Sequence, residues 1–156
     1  MTDFLGEHEV RLDGKGRFKL PAALKRQLEP AIKGRFVVNR GFEKCLVLYP
    51  YNEWEKIGKR LSQLNTFKKA NRDFVRYFRR GAREVVLDNI DRLLIPKELH
   101  EHAGINKDLI LAPQNNTIEI WDKKKYMEYV NRSSDEFADM AEEVLGKTDF
   151  INQESE

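Results

Sequence analysis

One stretch constrains the fold more than any other: Leu12-Asp13-Gly14-Lys15-Gly16-Arg17-Phe18-Lys19-Leu20-Pro21, which returns in altered form as Leu87-Asp88-Asn89-Ile90-Asp91-Arg92-Leu93-Leu94-Ile95-Pro96. In each copy an acid is followed four residues on by an arginine, then by an aliphatic residue and a proline. The offset is constant: 75 positions separate Asp13 from Asp88, Arg17 from Arg92, Leu20 from Ile95, Pro21 from Pro96 and Leu24 from Leu99. A spacing of that size is too long for a solenoid repeat and suits a duplicated half-domain.

In Val10-Arg11-Leu12 and Phe18-Lys19-Leu20 every second residue is apolar, the period of a strand with one buried face. Asp13-Gly14-Lys15-Gly16 between them is turn chemistry, because glycine reaches positive φ without steric cost. The pattern predicts a hairpin with Val10, Leu12, Phe18 and Leu20 inward. Arg11, Arg17 and Lys19 then share the outer face, with Lys15 at the tip. Four cations on one face form a surface suited to phosphate. A simpler reading has Asp13 and Arg17 pairing across the turn and facing solvent, where such pairs contribute little. The second copy favours the simpler reading, since Asp91 lies beside Arg92 and Ile90 replaces a cation. The first copy, with its glycines and surplus positive charge, favours DNA contact.

After Pro21, residues 22–28 read as a short helix with Leu24 and Leu28 on one side. Its other side carries Lys25 and Arg26, which either reach a phosphate or face water. Phe36-Val37-Val38 and Cys45-Leu46-Val47-Leu48-Tyr49 are predicted strands, answered in the second repeat by Leu109-Ile110-Leu111 and Thr117-Ile118-Glu119-Ile120-Trp121. Between the repeats, residues 52–81 carry Ile57, Leu61, Leu64, Phe67, Phe74 and Phe78 mostly at helical spacing, so amphipathic helices cover the sheet or a neighbour. The same region is strongly basic (Lys68, Lys69, Arg72, Arg76, Arg79 and Arg80), which fits a solvated helix face and a supporting DNA contact equally well. Ser133-Ser134-Asp135-Glu136 resembles a helix start, with Phe137, Met140, Ala141, Val144 and Leu145 on one stripe that reads as core, with a protein contact as the alternative. Residues 152–156 read as a polar, frayed tail. The resulting organisation is a first repeat over 1–52, a helical connector over 53–83, a second repeat over 84–130, and a C-terminal helix and tail over 131–156.

The formal net charge of +2 conceals a division: residues 1–81 carry a balance of +10 and residues 82–156 one of −8. Such asymmetry suggests that only the first half meets a polyanion and that the acidic half does something else. No apolar run approaches membrane-spanning length and no signal pattern opens the chain, so a cytoplasmic location is expected. The single cysteine, Cys45, lies in an apolar run and reads as a buried structural thiol. The histidines His8, His100 and His102 lack ligand spacing, and no glycine-rich phosphate loop or partnered catalytic base is present in the sequence. An enzyme, a metal, a cofactor and a small-molecule substrate are therefore not expected.

Phe4-Leu5-Gly6, Leu12-Asp13-Gly14-Lys15-Gly16-Arg17, Leu20-Pro21, Arg79-Arg80-Gly81-Ala82 and the second Asp88-to-Arg92 turn with Pro96 together resemble the MraZ family. The resemblance runs from about Met1 to Leu145. It implies an α+β, mainly β fold: an AbrB-like swapped-hairpin barrel formed by two internal repeats, with helices packed outside. It further implies a ring-forming repressor, associated with the nucleoid, that binds short direct repeats of double-stranded DNA upstream of the division and cell-wall gene cluster. By position, Arg17 matches the family's DNA-contact arginine, with Lys15 beside it; Arg11, Lys19 and Lys25 are expected to hold the backbone. Asp91 and Ile90 depart from the family's second turn, which usually has glycine and a polar or basic residue there. AbrB-like antitoxins are a nearby alternative, but they usually carry one such unit and a disordered toxin-binding tail. An oligomeric scaffold without specific DNA binding is the alternative from a different class.

Overall fold

Short apolar runs, alternating only in part, build two antiparallel sheets in a computed structural model that describes residues 4–28 and 30–146. The strands are β1 (His8–Arg11), β2 (Arg17–Lys19), β3 (Arg35–Arg40), β4 (Leu46–Pro50), β5 (Arg83–Val86), β6 (Arg92–Leu94), β7 (Asp108–Gln114) and β8 (Thr117–Asp122). The helices are α1 (Ala22–Lys25), α2 (Tyr51–Ser62), α3 (Lys69–Arg79), α4 (Lys97–Ala103), α5 (Lys123–Tyr129) and α6 (Ser134–Leu145). One sheet has the order β1-β7-β8-β4-β3-β5, and the other contains β2 and β6. The predicted strands are thus all present, and the fold is α+β with two repeats.

The repeats exchange strands. β1 of the first half pairs with β7 of the second (Arg11 opposite Asp108), and β5 of the second half pairs with β3 of the first (Val86 opposite Arg35). β2 and β6 pair with Phe18 opposite Leu93, flanked by Arg17–Leu94 and Lys19–Arg92. Since 75 residues separate Arg17 from Arg92 and Lys19 from Leu94, this register maps onto itself when the halves are interchanged. The pairing of β4 with β8 does the same about Val47–Glu119, at an offset of 72. Each pair therefore has a local two-fold through its centre. The simple hairpin expected around residues 10–20 is corrected accordingly: β1 and β2 belong to different sheets, and the turn between them carries the chain from one to the other. Each strand finds a partner in the opposite half, beside the β3–β4 and β7–β8 pairs within the halves, which lets both halves fill a single core.

That core draws equally on both repeats. Phe18, Leu20, Phe36, Val38, Leu46 and Leu48 meet Leu93, Ile95, Leu109, Leu111, Ile118 and Ile120, all buried. Cys45, Ile110, Ala112, Trp121 and Tyr126 form a second buried cluster. Burial pushes the Cys45 thiol up to about 12, so it is an inert packing group, as its apolar run predicted. Proline immediately precedes α1, α2 and α4, where its fixed φ starts the helix and its missing N–H costs nothing. Tyr49 meets Trp54 edge-on at 5.2 Å, and Trp121 meets Tyr126 at 5.5 Å, the same pair 72 residues on. α3 is held by stacking of Trp54 on Phe78 at 5.8 Å and by buried Asn39, whose Nδ2 donates to the Phe78 carbonyl at 2.8 Å. The buried Glu53 carboxylate accepts a hydrogen bond from Asn116 Nδ2 and pairs with Lys56 Nζ at 3.1 Å, tying α2 to the β7–β8 turn. Gly81 is buried, and a Cβ there would lie 3.0 Å from Arg40 Cγ and 3.1 Å from Leu99 Cδ2.

The chain divides into two compact units, Met1–Tyr126 and Met127–Glu156. In the second, Ser133 caps α6 as its sequence predicted: its Oγ accepts from the Glu136 N–H at 3.1 Å and donates to Glu136 Oε1 at 3.3 Å. The stripe expected to be core is not. Phe137, Met140, Val144 and Leu145 are exposed, because a unit this small cannot enclose the apolar side of its one long helix. The tail at 152–156 lies outside the described residues. No helix among the described residues is long and apolar enough to cross a membrane.

The Phe18–Leu93 contact supplies a direct check. Phe18→Ala should lower the unfolding free energy by about 3–5 kcal/mol, seen as a shift of the urea midpoint at unchanged slope.

Candidate nucleic-acid interface

Each repeated turn is built by one aspartate that satisfies the backbone around it. Asp13 Oδ1 accepts from the Lys15 and Arg17 amides at 2.9 and 3.0 Å, and its Oδ2 accepts from Arg17 Nε at 2.8 Å. Gly16 closes the turn with φ +84°, its N–H donating to the Asp13 carbonyl. Asp88 repeats the arrangement on the Ile90 and Arg92 amides and on Arg92 Nε, the last at 2.7 Å. Asp91 stands where Gly16 stands in the first turn and takes the same left-handed backbone, φ +65°. The Arg17 amide, helped by the Lys15 amide and the Arg17 guanidinium, holds the Asp13 carboxyl at about 2 against an opposing desolvation. Asp88 is lowered in the same way, chiefly by the Arg92 amide. Pairing across the turn thus occurs in both copies.

The two turns meet. Gly16 O accepts from the Ile95 N–H and Asp91 O from the Leu20 N–H, and Arg92 Nη1 lies 3.9 Å from Asp13 Oδ2. Phe18 and Leu93 are buried, so the alternate residues of the two-stranded sheet form its outer face: Arg17, Lys19, Arg92 and Leu94. The sequence-predicted residues therefore divide. Arg17 and Lys19 share this face, and exposed Lys15 rises at the tip with no side-chain partner among the described residues. Arg17 is only 26% exposed in its side chain and is fixed through Nε to Asp13. Arg11, 71% exposed, lies on edge strand β1 of the large sheet with Asp108 3.9 Å away. Lys25 pairs with Asp91 at 2.8 Å, so its charge is already partnered.

Arg92 was not among the predicted residues, yet strand pairing sets it opposite Lys19. The signal was the offset of 75, which equates it with Arg17. Elsewhere the two copies differ in charge rather than backbone. Val86, Ile90 and Leu94, each about half exposed (53, 51 and 50%), stand where the first copy has Arg11, Lys15 and Lys19. His100 takes the place of Lys25 and lies against Gly16, its Nε2 3.1 Å from the Ile95 carbonyl. No group of His, Cys, Asp and Glu suited to a metal occurs among the described residues.

The family described as "MraZ protein, putative antitoxin-like" matches the chain twice, over residues 4–77 and 78–147. A Christiangramia forsetii protein named transcriptional regulator MraZ is 48% identical over 96% of this chain and 97% of its own length. Proteins of the same name from Flavobacterium psychrophilum and Pediococcus pentosaceus are 43% and 39% identical, covering 94% and 91% of this chain and 94% and 96% of their own lengths.

The Asp13 carboxyl should titrate by NMR with a midpoint near 2 rather than the ordinary 3.8. A depressed carboxylate stabilises the folded turn fully above the ordinary value and loses that contribution as pH falls through about 2. The Lys15 and Arg17 amide resonances should move with the same midpoint and stay constant near neutrality.

Proposed function

This chain belongs to the MraZ family, and we propose that it is a ring-forming, sequence-specific DNA-binding repressor of the division and cell-wall gene cluster. Transcriptional regulation, not enzymatic catalysis, is its role. The observation that carries the reading is the outward face of the two-stranded sheet, with Arg17, Lys19 and Arg92 together and Lys15 at its edge. Arginine held through Nε keeps both Nη donors aimed in one direction, which suits a bidentate contact with guanine or phosphate. Lys15 and Lys19 supply point charges for the DNA backbone, and the more distant Arg11 and the paired Lys25 play a supporting part.

One such face offers few contacts, so one protomer binds weakly. Protomers joined in a ring engage successive short direct repeats in the protein's own promoter, and effective concentration multiplies the affinity. The ring fixes which repeat spacing works. The protein then acts on the nucleoid, in the cytoplasm.

Arg17→Ala should abolish the shift of a duplex carrying short direct repeats in a gel assay while leaving the assembly's mass unchanged. Lys15→Ala, which removes no contact within the turn, should weaken binding and flatten the salt dependence, each lost phosphate contact removing a slope of about 0.9 in log K against log salt. Absence of DNA binding by the native protein even at low salt would favour an oligomeric scaffold.

A further inference from the structure

The helix that follows each repeated turn reaches across to the turn of the opposite half. Lys25 and His100 stand four residues after Pro21 and Pro96, on α1 and α4, 75 positions apart. Lys25 Nζ meets Asp91 Oδ1 at 2.8 Å, and the His100 ring lies against Gly16, the residue equivalent to Asp91. A Cβ on Gly16 would come within 3.7 Å of His100 Cε1 and 3.8 Å of Nε2, so the ring borders the backbone between Lys15 and Arg17. Hydrogen bonding ties it there. Gly16 and Ile95 extend the register of β2 and β6, and the Ile95 N–H donates to the Gly16 carbonyl at 2.9 Å. The Gly16 N–H, which would return the bond in an antiparallel pair, instead turns back to the Asp13 carbonyl at 3.0 Å and closes the first turn. The carbonyl of buried Ile95 thus loses its ladder donor, and His100 Nε2 takes that place at 3.1 Å. A carbonyl oxygen only accepts, so Nε2 carries the proton.

We propose that His100 is a positioning residue for the DNA-contacting turn, holding Gly16 so that Lys15 and Arg17 keep a fixed place beside Lys19 and Arg92. The path is short. His100 Nε2 donates to the Ile95 carbonyl, the Ile95 N–H to the Gly16 carbonyl, and the Gly16 N–H to the Asp13 carbonyl. The Asp13 carboxylate in turn accepts the Lys15 and Arg17 amides. Charge separates the two braces. The second turn is held by an ion pair, in which Lys25 and Asp91 answer each other. The first is held by an imidazole, which brings no carboxylate to the turn and so leaves its cations for phosphate. The second half, whose own turn has Ile90 where the first has Lys15, thus serves DNA binding through α4 as well as through Arg92. The inference rests on the proposed DNA-binding function for its purpose, and on the geometry of residues 13–17 and 95–100 for the brace itself.

The test uses the full chain and the direct-repeat duplex of the gel assay. His100→Ala should weaken binding by about 10-fold, the effect of leaving one buried carbonyl without its donor, with the mass of the assembly unchanged. The salt dependence should keep its native slope, because no phosphate contact is lost with the ring. His100→Gln, whose side-chain amide donates to the same carbonyl, should restore most of the affinity. His100→Leu, which fills the space without a donor, should not. If the alanine chain fails to fold, the glutamine and leucine chains read the same hydrogen bond. Hydrogen exchange at the Lys15, Gly16 and Arg17 amides should quicken in the alanine and leucine chains and return to the native rate with glutamine. Native affinity in His100→Ala, or equal affinity in the glutamine and leucine chains, overturns the proposal. So does a salt slope reduced by about 0.9, which would make the ring a phosphate contact in its own right. With the native protein still binding the duplex, those outcomes leave the regulator reading standing. A native protein that ignores DNA sinks that reading, and the exchange rates then judge the brace alone.

Discussion

Antiparallel pairing of β2 with β6 about the buried Phe18–Leu93 contact is the interaction on which the first unit depends. It brings the two repeated turns together, while β1 and β5 each pair with a strand of the opposite half in the one large sheet. It also fixes which residues of the small sheet point outward. A strand of three residues contributes few hydrogen bonds, so its strength comes from what it buries. Phe18, Leu20, Leu93 and Ile95 anchor both strands in the common core, and the outer face is left for charge.

Within this nearly symmetric backbone the electrostatics are not symmetric. Asp13 and Asp88 do identical work for their turns, each accepting two amides and one guanidinium. Around them the first copy presents Arg11, Lys15 and Lys19, whereas the second presents Val86, Ile90 and Leu94. Asp91 adds a carboxylate that partners Lys25, at a backbone position where the first copy uses glycine. A left-handed aspartate is tolerated because its short side chain suits that region, and here the carboxylate gains an ion pair. Duplication thus supplied one scaffold, and divergence concentrated the unpartnered positive charge on one of its two turns.

The connector and the last helix carry the same division outward. α3 is fixed by Asn39 and Trp54 on its inner side, which leaves its arginines facing solvent and a groove beside α2. α6 is a capped, acidic helix with Phe137, Met140, Val144 and Leu145 exposed among the described residues.

The sequence by itself determined the duplication, the strands, the turns and the helix starts. Alternation in residues 10–12 and 18–20, the apolar runs over 36–38, 45–49, 109–111 and 117–121, the Asp-to-Arg spacing and Pro21 each act within a few residues, where local geometry suffices. Arg17, Lys15 and Lys19 were legible as an outward cationic group for the same reason. Only the tertiary structure decided which strand pairs with which. Backbone ladder bonds do not distinguish partners, and the apolar sides of β1 and β5 suit either half, so shared burial selects the exchange. That choice separates Arg11 from the small sheet, sets Arg92 opposite Lys19 and draws Lys25 to Asp91. It also explains why Glu53 escaped notice, since a buried carboxylate is intelligible only beside Asn116, 63 residues away. The α6 stripe was misassigned to the core because periodicity records that a helix has an apolar side, while what covers that side depends on surfaces remote in sequence.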